Sequence, residues 1–148
     1  MAGTRIVSGF PGVGKTTFFN ADSRFTVADS DSSKFSWIEP GVRHPEFPNN
    51  YIAHIKECMG KYDFILVSSH KVVRDALKEH GLMYEIFYPS AEDKEIYIER
   101  YRNRGNDEKF IELVNNSWEA WIAEIDAEEF PIKWKLEGDK FLKDCFIA

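Results

Sequence analysis

Gly9-Phe10-Pro11-Gly12-Val13-Gly14-Lys15-Thr16 decides how this chain reads. The stretch fits the pattern GxxxxGK[ST] at every position. It follows a short apolar run, Thr4 to Ser8 (TRIVS), that reads as a strand, and it opens Lys15 to Ala21, which reads as a helix. Each residue type has a chemical reason. Glycines let backbone N–H groups turn inward around an anion with no Cβ in the way. A helix N-terminus adds partial positive charge. A lysine at position 15 reaches the β and γ phosphates of a nucleoside triphosphate, and the hydroxyl of Thr16 ligates Mg²⁺. The expected phosphate-binding residues are therefore Gly12, Val13, Gly14, Lys15, Thr16 and Thr17.

The chain has 148 residues, a length that suits one domain, and 43% of them are hydrophobic, enough for a core. The formal net charge of -6 argues against a protein that tracks a nucleic-acid backbone, which needs a broad basic face. Cys58 and Cys145 form neither a CxxC nor a metal-binding spacing, so both are expected to stay reduced, as in the cytoplasm. The opening stretch MAGTRIVSGF has no long apolar run, so no signal peptide is expected. No run approaches the roughly 20 apolar residues of a membrane span.

Outward from the glycine stretch, short apolar runs alternate with helical patterns. That alternation predicts an α/β layer fold with a mostly parallel sheet. Phe25 to Ala28 reads as a second strand ending at Asp29. Ser30 to Asn50, with Pro40, Pro45 and Pro48, reads as irregular. Tyr51, Ile52, Ile55 and Met59 recur at helical spacing, with Asn49 or Asn50 as the expected N-cap. Asp63 to Ser68 (DFILVS) reads as a central strand buried on both faces. Val72, Val73, Ala76 and Leu77 give the next helix one apolar stripe, and Gly81 ends it. Leu82 to Tyr88 reads as a fourth strand stopped by Pro89. Ser90 is the expected cap of a helix through Tyr101, with Asp93 completing a short-armed capping box. A long helix is expected from about Asp107, with the stripe Phe110, Ile111, Val114, Trp118, Trp121, Ile122 and Ile125. Ile132 to Leu136 reads as a fifth strand, followed by a turn at Gly138.

Three features narrow the chemistry. No NKxD motif is present, which speaks against guanine recognition, and the chain has no room for an oligomerising ATPase lid. The third apolar strand ends in Ser68-Ser69-His70, where an acid that holds Mg²⁺ through water is commonly placed. Carboxylates appear instead at Asp29 and Asp31, which would face one side of an extended backbone. One of the two is expected to orient Mg²⁺ or an acceptor, with a polar turn as the alternative. Finally, Arg100, Arg102 and Arg104 cluster before Gly105. Arg100 and Arg104 share a helical face, whereas Arg102 points elsewhere. Arginines on a lid that closes over a transferring phosphoryl group would stabilise its charge and exclude water.

In GFPGVGKTTF, DSDSSKF, RHPEFPNNYIAHI, DFILVSSHKVVRDAL and ERYRNRGN, the chain resembles the nucleoside-monophosphate-kinase-like P-loop kinases. It looks most like the small deoxynucleoside monophosphate kinases carried by bacteriophages. The resemblance implies a three-layer P-loop kinase fold with strand order 2-3-1-4-5. It implies an acceptor-binding region over residues 30–60 and a lid over residues 100–106. ATP would be the donor, with Mg²⁺, and a (deoxy)nucleoside monophosphate the acceptor. Arg43 would clamp the acceptor phosphate with its planar fork. Asp31, Ser32, Ser33, Phe35 and Trp37 would line the acceptor site, Trp37 either stacking on the base or anchoring a loop. His70 would contact the acceptor or cap the next helix. The chain departs from the larger members in its short acceptor region and in lacking an acid after the third strand. Open alternatives are a P-loop kinase acting on a nucleoside, a small metabolite or a polynucleotide 5′-hydroxyl, and a non-catalytic nucleotide-binding module.

Overall fold

The computed structural model describes residues 3–14, 26–29, 37–39, 42–43, 46–138 and 140–141. Within them the strands are β1 (Arg5–Gly9), β2 (Val27–Asp29), β3 (Trp37–Glu39), β4 (Val42–Arg43), β5 (Phe64–Ser68), β6 (Glu85–Pro89) and β7 (Ile132–Leu136). The helices are α1 (Asn49–Cys58), α2 (Lys71–Glu79), α3 (Lys94–Asn103) and α4 (Glu108–Asp126). A 3₁₀ turn, Ala91–Asp93, leads into α3.

Five strands form one sheet in the order β2-β5-β1-β6-β7, and every pairing is parallel. In the sequence order of those five strands this is 2-3-1-4-5. Phe64 to Val67 carry no polar alternation, so β5 has to be covered on both faces; all four side chains are buried. β1 is the middle strand, with Gly9 level with Ser68 on one side and with Phe87 on the other. The chain leaves β1 toward β2 on one flank and later passes from β5 to β6 on the other flank. Such a switch point opens a crevice at the carboxyl end of the central strand, and here that end is Gly9.

The helix ends follow local chemistry. Asp107 is the N-cap of α4, and its side chain accepts the Phe110 N–H at 2.8 Å. α2 and α3 both finish with paired turn bonds: Leu82 N–H to Leu77 O and Gly81 N–H to Lys78 O for α2, and Asn106 N–H to Tyr101 O and Gly105 N–H to Arg102 O for α3. The apolar face of α4 packs on the core through Ile111, Val114, Trp118, Ile122 and Ile125. Trp118 is fully buried, and its indole N–H reaches Ala91 O at 2.8 Å.

Several expectations are corrected. The stretch read as irregular holds the antiparallel pair β3–β4, which lies outside the main sheet. Strands of two or three residues are too short for a period-two pattern, and the Pro40-Gly41 pair between them was the available turn signal. α1 begins at Asn49 behind Pro48, and no side chain caps it; Asn50 Oδ1 instead takes the adjacent Tyr51 N–H. Neither Ser90 nor Asp93 makes a capping bond; the Asp93 carboxylate accepts Gly138 N–H at 2.9 Å, tying the start of α3 to the turn after β7. β6 begins at Glu85, three residues later than expected, and includes Pro89 as its last residue. Val72 lies on the exposed side of α2 rather than on its stripe, at 45% exposure. The helix expected over residues 15–21 falls outside the described residues. Among the described residues, no helix is long and apolar enough to cross a membrane.

Across β1 and β6, Arg5 grips Glu85 with two bonds, 2.6 Å from Nε and 2.5 Å from Nη2, and the Trp134 indole adds a third at 3.0 Å. Burial alone would raise the Glu85 pKa, but the hydrogen bonds from Arg5 and Trp134 outweigh it and hold the carboxyl below its ordinary value. A carboxylate held low contributes stability above its unfolded pKa of about 4 and loses it as pH falls through the folded value. Urea denaturation run from neutral pH down to about pH 2 should therefore show a smaller acid loss for Glu85→Gln than for the wild type. Identical pH dependence in the two proteins would show that the grip contributes nothing.

Candidate functional site

The turn after β1 is anchored by its apolar residues. Phe10 and Val13 are buried, at 1% and 0% exposure. Phe10 extends the sheet ladder, donating its N–H to Phe87 O at 3.0 Å, and its ring meets Tyr97, Trp118 and Trp121 edge-to-face. Val13 N–H returns to Phe10 O at 3.1 Å and closes the turn. The Ser8 hydroxyl, inside the sheet, donates to Ser68 O at 3.0 Å and ties the carboxyl ends of β1 and β5.

On either side of Val13 the backbone takes conformations that L side chains rarely adopt. Gly12 has φ +92° and Gly14 has φ +93°. The space is also tight. A Cβ on Gly12 would sit 3.0 Å from Tyr101 Cε1 and 3.1 Å from Tyr97 Cδ2, and one on Gly14 would sit 2.9 Å from Phe141 Cδ1.

The last turns of α3 lie against this turn. The Tyr101 hydroxyl donates to Pro11 O at 2.7 Å, and Arg100 Nη1 donates to Gly12 O at 2.9 Å. Burial, foremost, raises the Tyr101 pKa, so the hydroxyl keeps its proton and remains a donor. The Arg100 guanidinium lies 4.5 Å from the Tyr97 ring centroid and 3.9 Å from that of Phe141. Its Nη2 also reaches Lys140 O at 3.2 Å. Beside the turn opens a cavity of about 200 Å³, lined by Phe10, Pro11, Ser69, His70, Arg74 and Trp121 among others. Arg74 is buried there. It donates from Nε to Ser69 O at 2.7 Å and pairs through its two terminal nitrogens with Glu128 and Glu124. Glu128 also accepts the Tyr84 hydroxyl at 2.9 Å. The stretch after β5 is thereby braced against α4.

The expected site residues fall into four groups. Gly12, Val13 and Gly14 form the turn just described, and Arg100 and His70 are brought to it. His70 stands at the N-cap position of α2, where its carbonyl accepts from Val73 and Arg74 N–H while its side chain makes no capping bond, and it lines the cavity. Asp29 ends β2 at the carboxyl edge of the sheet, level with Leu66, while Trp37 and Arg43 stand opposite one another in β3–β4. Lys15, Thr16, Thr17, Asp31, Ser32, Ser33 and Phe35 lie outside the described residues. Of the remaining arginines, Arg104 is exposed at the end of α3, and Arg102 faces away toward Glu99 at 3.9 Å. Among the described residues no cluster of His, Cys, Asp and Glu could hold a metal ion.

Sequence reasoning missed Tyr97, Tyr101, Arg74 and Phe141. The i, i+4 spacing of Tyr97 and Tyr101 was a usable sign of an aromatic helix face. Nothing near Arg74 in the sequence marks it as buried. The sequence matches no protein-family model, and no curated protein matches it.

The tightness around Gly12 can be measured against Gly60, which has φ +83° but nothing within 4 Å of a would-be Cβ. Gly60→Ala should cost only the left-handed backbone strain, about 1–2 kcal/mol. Gly12→Ala should cost more, by about 1–3 kcal/mol of overpacking. Equal losses in urea denaturation would mean that the tyrosines move aside freely.

Proposed function

We propose that this protein is an ATP-dependent phosphotransferase of the nucleoside monophosphate kinase type, acting on a (deoxy)nucleoside 5′-monophosphate. One observation supports it above the others. The stretch that fits GxxxxGK[ST] follows the central strand of a parallel sheet, at the switch point, with its glycines at φ values of +92° and +93°. Two features of the described turn support a phosphate site: the positive φ angles at Gly12 and Gly14, which such a cradle calls for, and the buried side chains of Phe10 and Val13, which fix the turn.

In this reading Lys15 and the turn's N–H groups bind the donor's β and γ phosphates, with Val13, Thr16 and Thr17 on the same stretch. Thr16 holds Mg²⁺, and Asp29 or Asp31 supports the metal or the acceptor. The ion supplies charge neutralisation at the phosphates when bound. Arg43, with Ser32, Ser33, Trp37 and His70, forms the acceptor side. Arg104 is the exposed arginine at the end of α3 that would serve the transferring phosphoryl, because Arg100 is already engaged at Gly12 O. Catalysis is then positioning and charge stabilisation with no covalent intermediate. The net charge of -6 counts against a polynucleotide acceptor.

The deciding experiment incubates the protein with Mg-ATP and a panel of ribo- and deoxynucleoside monophosphates, nucleosides and 5′-hydroxyl oligonucleotides, following ADP. ADP formed only with monophosphates supports the proposal. Turnover of nucleosides or oligonucleotides alone refutes it in favour of another acceptor. ATP binding with no acceptor-dependent ADP refutes it in favour of a binding module. Lys15→Ala should abolish turnover and leave the circular dichroism spectrum unchanged.

A further inference from the structure

Two successive carbonyls of the glycine turn are held by one helix. Pro11 O accepts from the Tyr101 hydroxyl, and Gly12 O accepts from Arg100 Nη1. In a trans peptide, the C=O of one residue and the N–H of the next point to opposite sides. Turning these carbonyls toward α3 therefore turns the N–H groups of Gly12 and Val13 away from it. The Val13 N–H is used within the turn, on Phe10 O. The Gly12 N–H meets no acceptor among the described residues.

Arg100 is itself fixed. Its guanidinium is shared between Gly12 O and Lys140 O and lies over the rings of Tyr97 and Phe141. An arginine fork used this way acts as scaffold, since its planar donors are committed to backbone oxygens. Tyr101 is fixed too, fully buried with its ring edge-to-face on Phe110 at 5.2 Å.

We propose that Arg100 and Tyr101 are positioning residues that set the peptide planes of the glycine turn before any ligand arrives, so that the Gly12 N–H meets a polyphosphate without reorganising. The proposal rests on the reading of this turn as a phosphate site. Preorganised donors raise affinity by removing the cost of ordering on binding. Within the candidate site the clasp holds the backbone of the turn, so its effect falls on the phosphate part of a ligand and is indifferent to base or sugar. It also separates Arg100 from a lid arginine. A lid arginine changes the transfer rate at saturating nucleotide, and an uncharged tyrosine hydroxyl could not share that role.

The test measures binding of inorganic tripolyphosphate by calorimetry, and of Mg-ATP by kcat and KM, in the full chain. The variants are Tyr101→Phe, Arg100→Gln, Arg100→Lys and the control Arg102→Gln, with melting temperatures alongside. Tyr101→Phe keeps the ring and removes only the donor. It should weaken tripolyphosphate binding about 3- to 10-fold, the usual worth of one hydrogen bond, and raise KM for ATP in parallel. Arg100→Gln should do the same, Arg100→Lys should recover part of the loss, and Arg102→Gln should bind as the wild type. Wild-type affinity in both Tyr101→Phe and Arg100→Gln overturns the clasp while leaving the phosphate reading intact. A fall in kcat with unchanged affinity in Arg100→Gln also overturns it, returning Arg100 to the lid role. A wild-type protein that binds neither tripolyphosphate nor ATP overturns the phosphate reading and the clasp with it.

Discussion

β1 is hydrogen-bonded in parallel to β5 on one side and to β6 on the other, and the rest of the molecule is arranged around that fact. Parallel neighbours cannot be joined by tight hairpins, so each connection must cross back over the sheet, and the helices follow from those crossings. All the carboxyl ends then lie along one edge. The middle strand leads into a turn flanked by the ends of β5 and β6. Gly9 is level with Ser68 and Phe87, and Phe10 N–H continues the ladder onto β6. A turn in that position has neighbours on both sides before any ligand is considered.

Those neighbours are mostly aromatic. Phe10, Tyr97, Tyr101, Phe110 and Trp118 interlock in edge-to-face and tilted contacts beneath the turn. Each such pair contributes about 0.5–1.5 kcal/mol beyond the area it buries, which makes α3 and α4 a stiff backing. Rigidity there has a consequence for the glycines. Tyr97 and Tyr101 stand 3.0–3.1 Å from where a Cβ on Gly12 would sit, so the close packing that steadies the turn also disfavours larger residues in it.

Arg74 bears a different kind of load. Burying a guanidinium costs several kcal/mol unless its donors are satisfied. Here Nε goes to Ser69 O and the terminal nitrogens go to Glu124 and Glu128, the second of which is further held by Tyr84. The residue binds the stretch after β5 to the end of α4 and the residues just past it. Two arginines, one on α2 and one on α3, thus brace the candidate site through backbone carbonyls.

Much was readable from residues close together in the chain. Phe64 to Val67 identify a doubly covered strand because an unbroken apolar run has no face to offer water. Asp107 marks the start of α4 because a short carboxylate can reach the N–H of Phe110 within one turn, and Gly81 and Gly105 end their helices for equally local reasons. The glycine pattern from Gly9 to Gly14 announced an unusual turn for the same reason: its need is in its own backbone angles. Contacts across the chain were another matter. Arg100 and Gly12 are 88 residues apart, and Tyr101 and Pro11 are 90 apart. Arg74 sits beside Val73 on a helix where an arginine would ordinarily face water, and its buried guanidinium is paired by Glu124 of α4 and by Glu128 just past the end of that helix. Strand identity follows from a run of neighbours, whereas the partner of a buried charge or of a loop carbonyl follows from which distant elements the packed sheet brings against it.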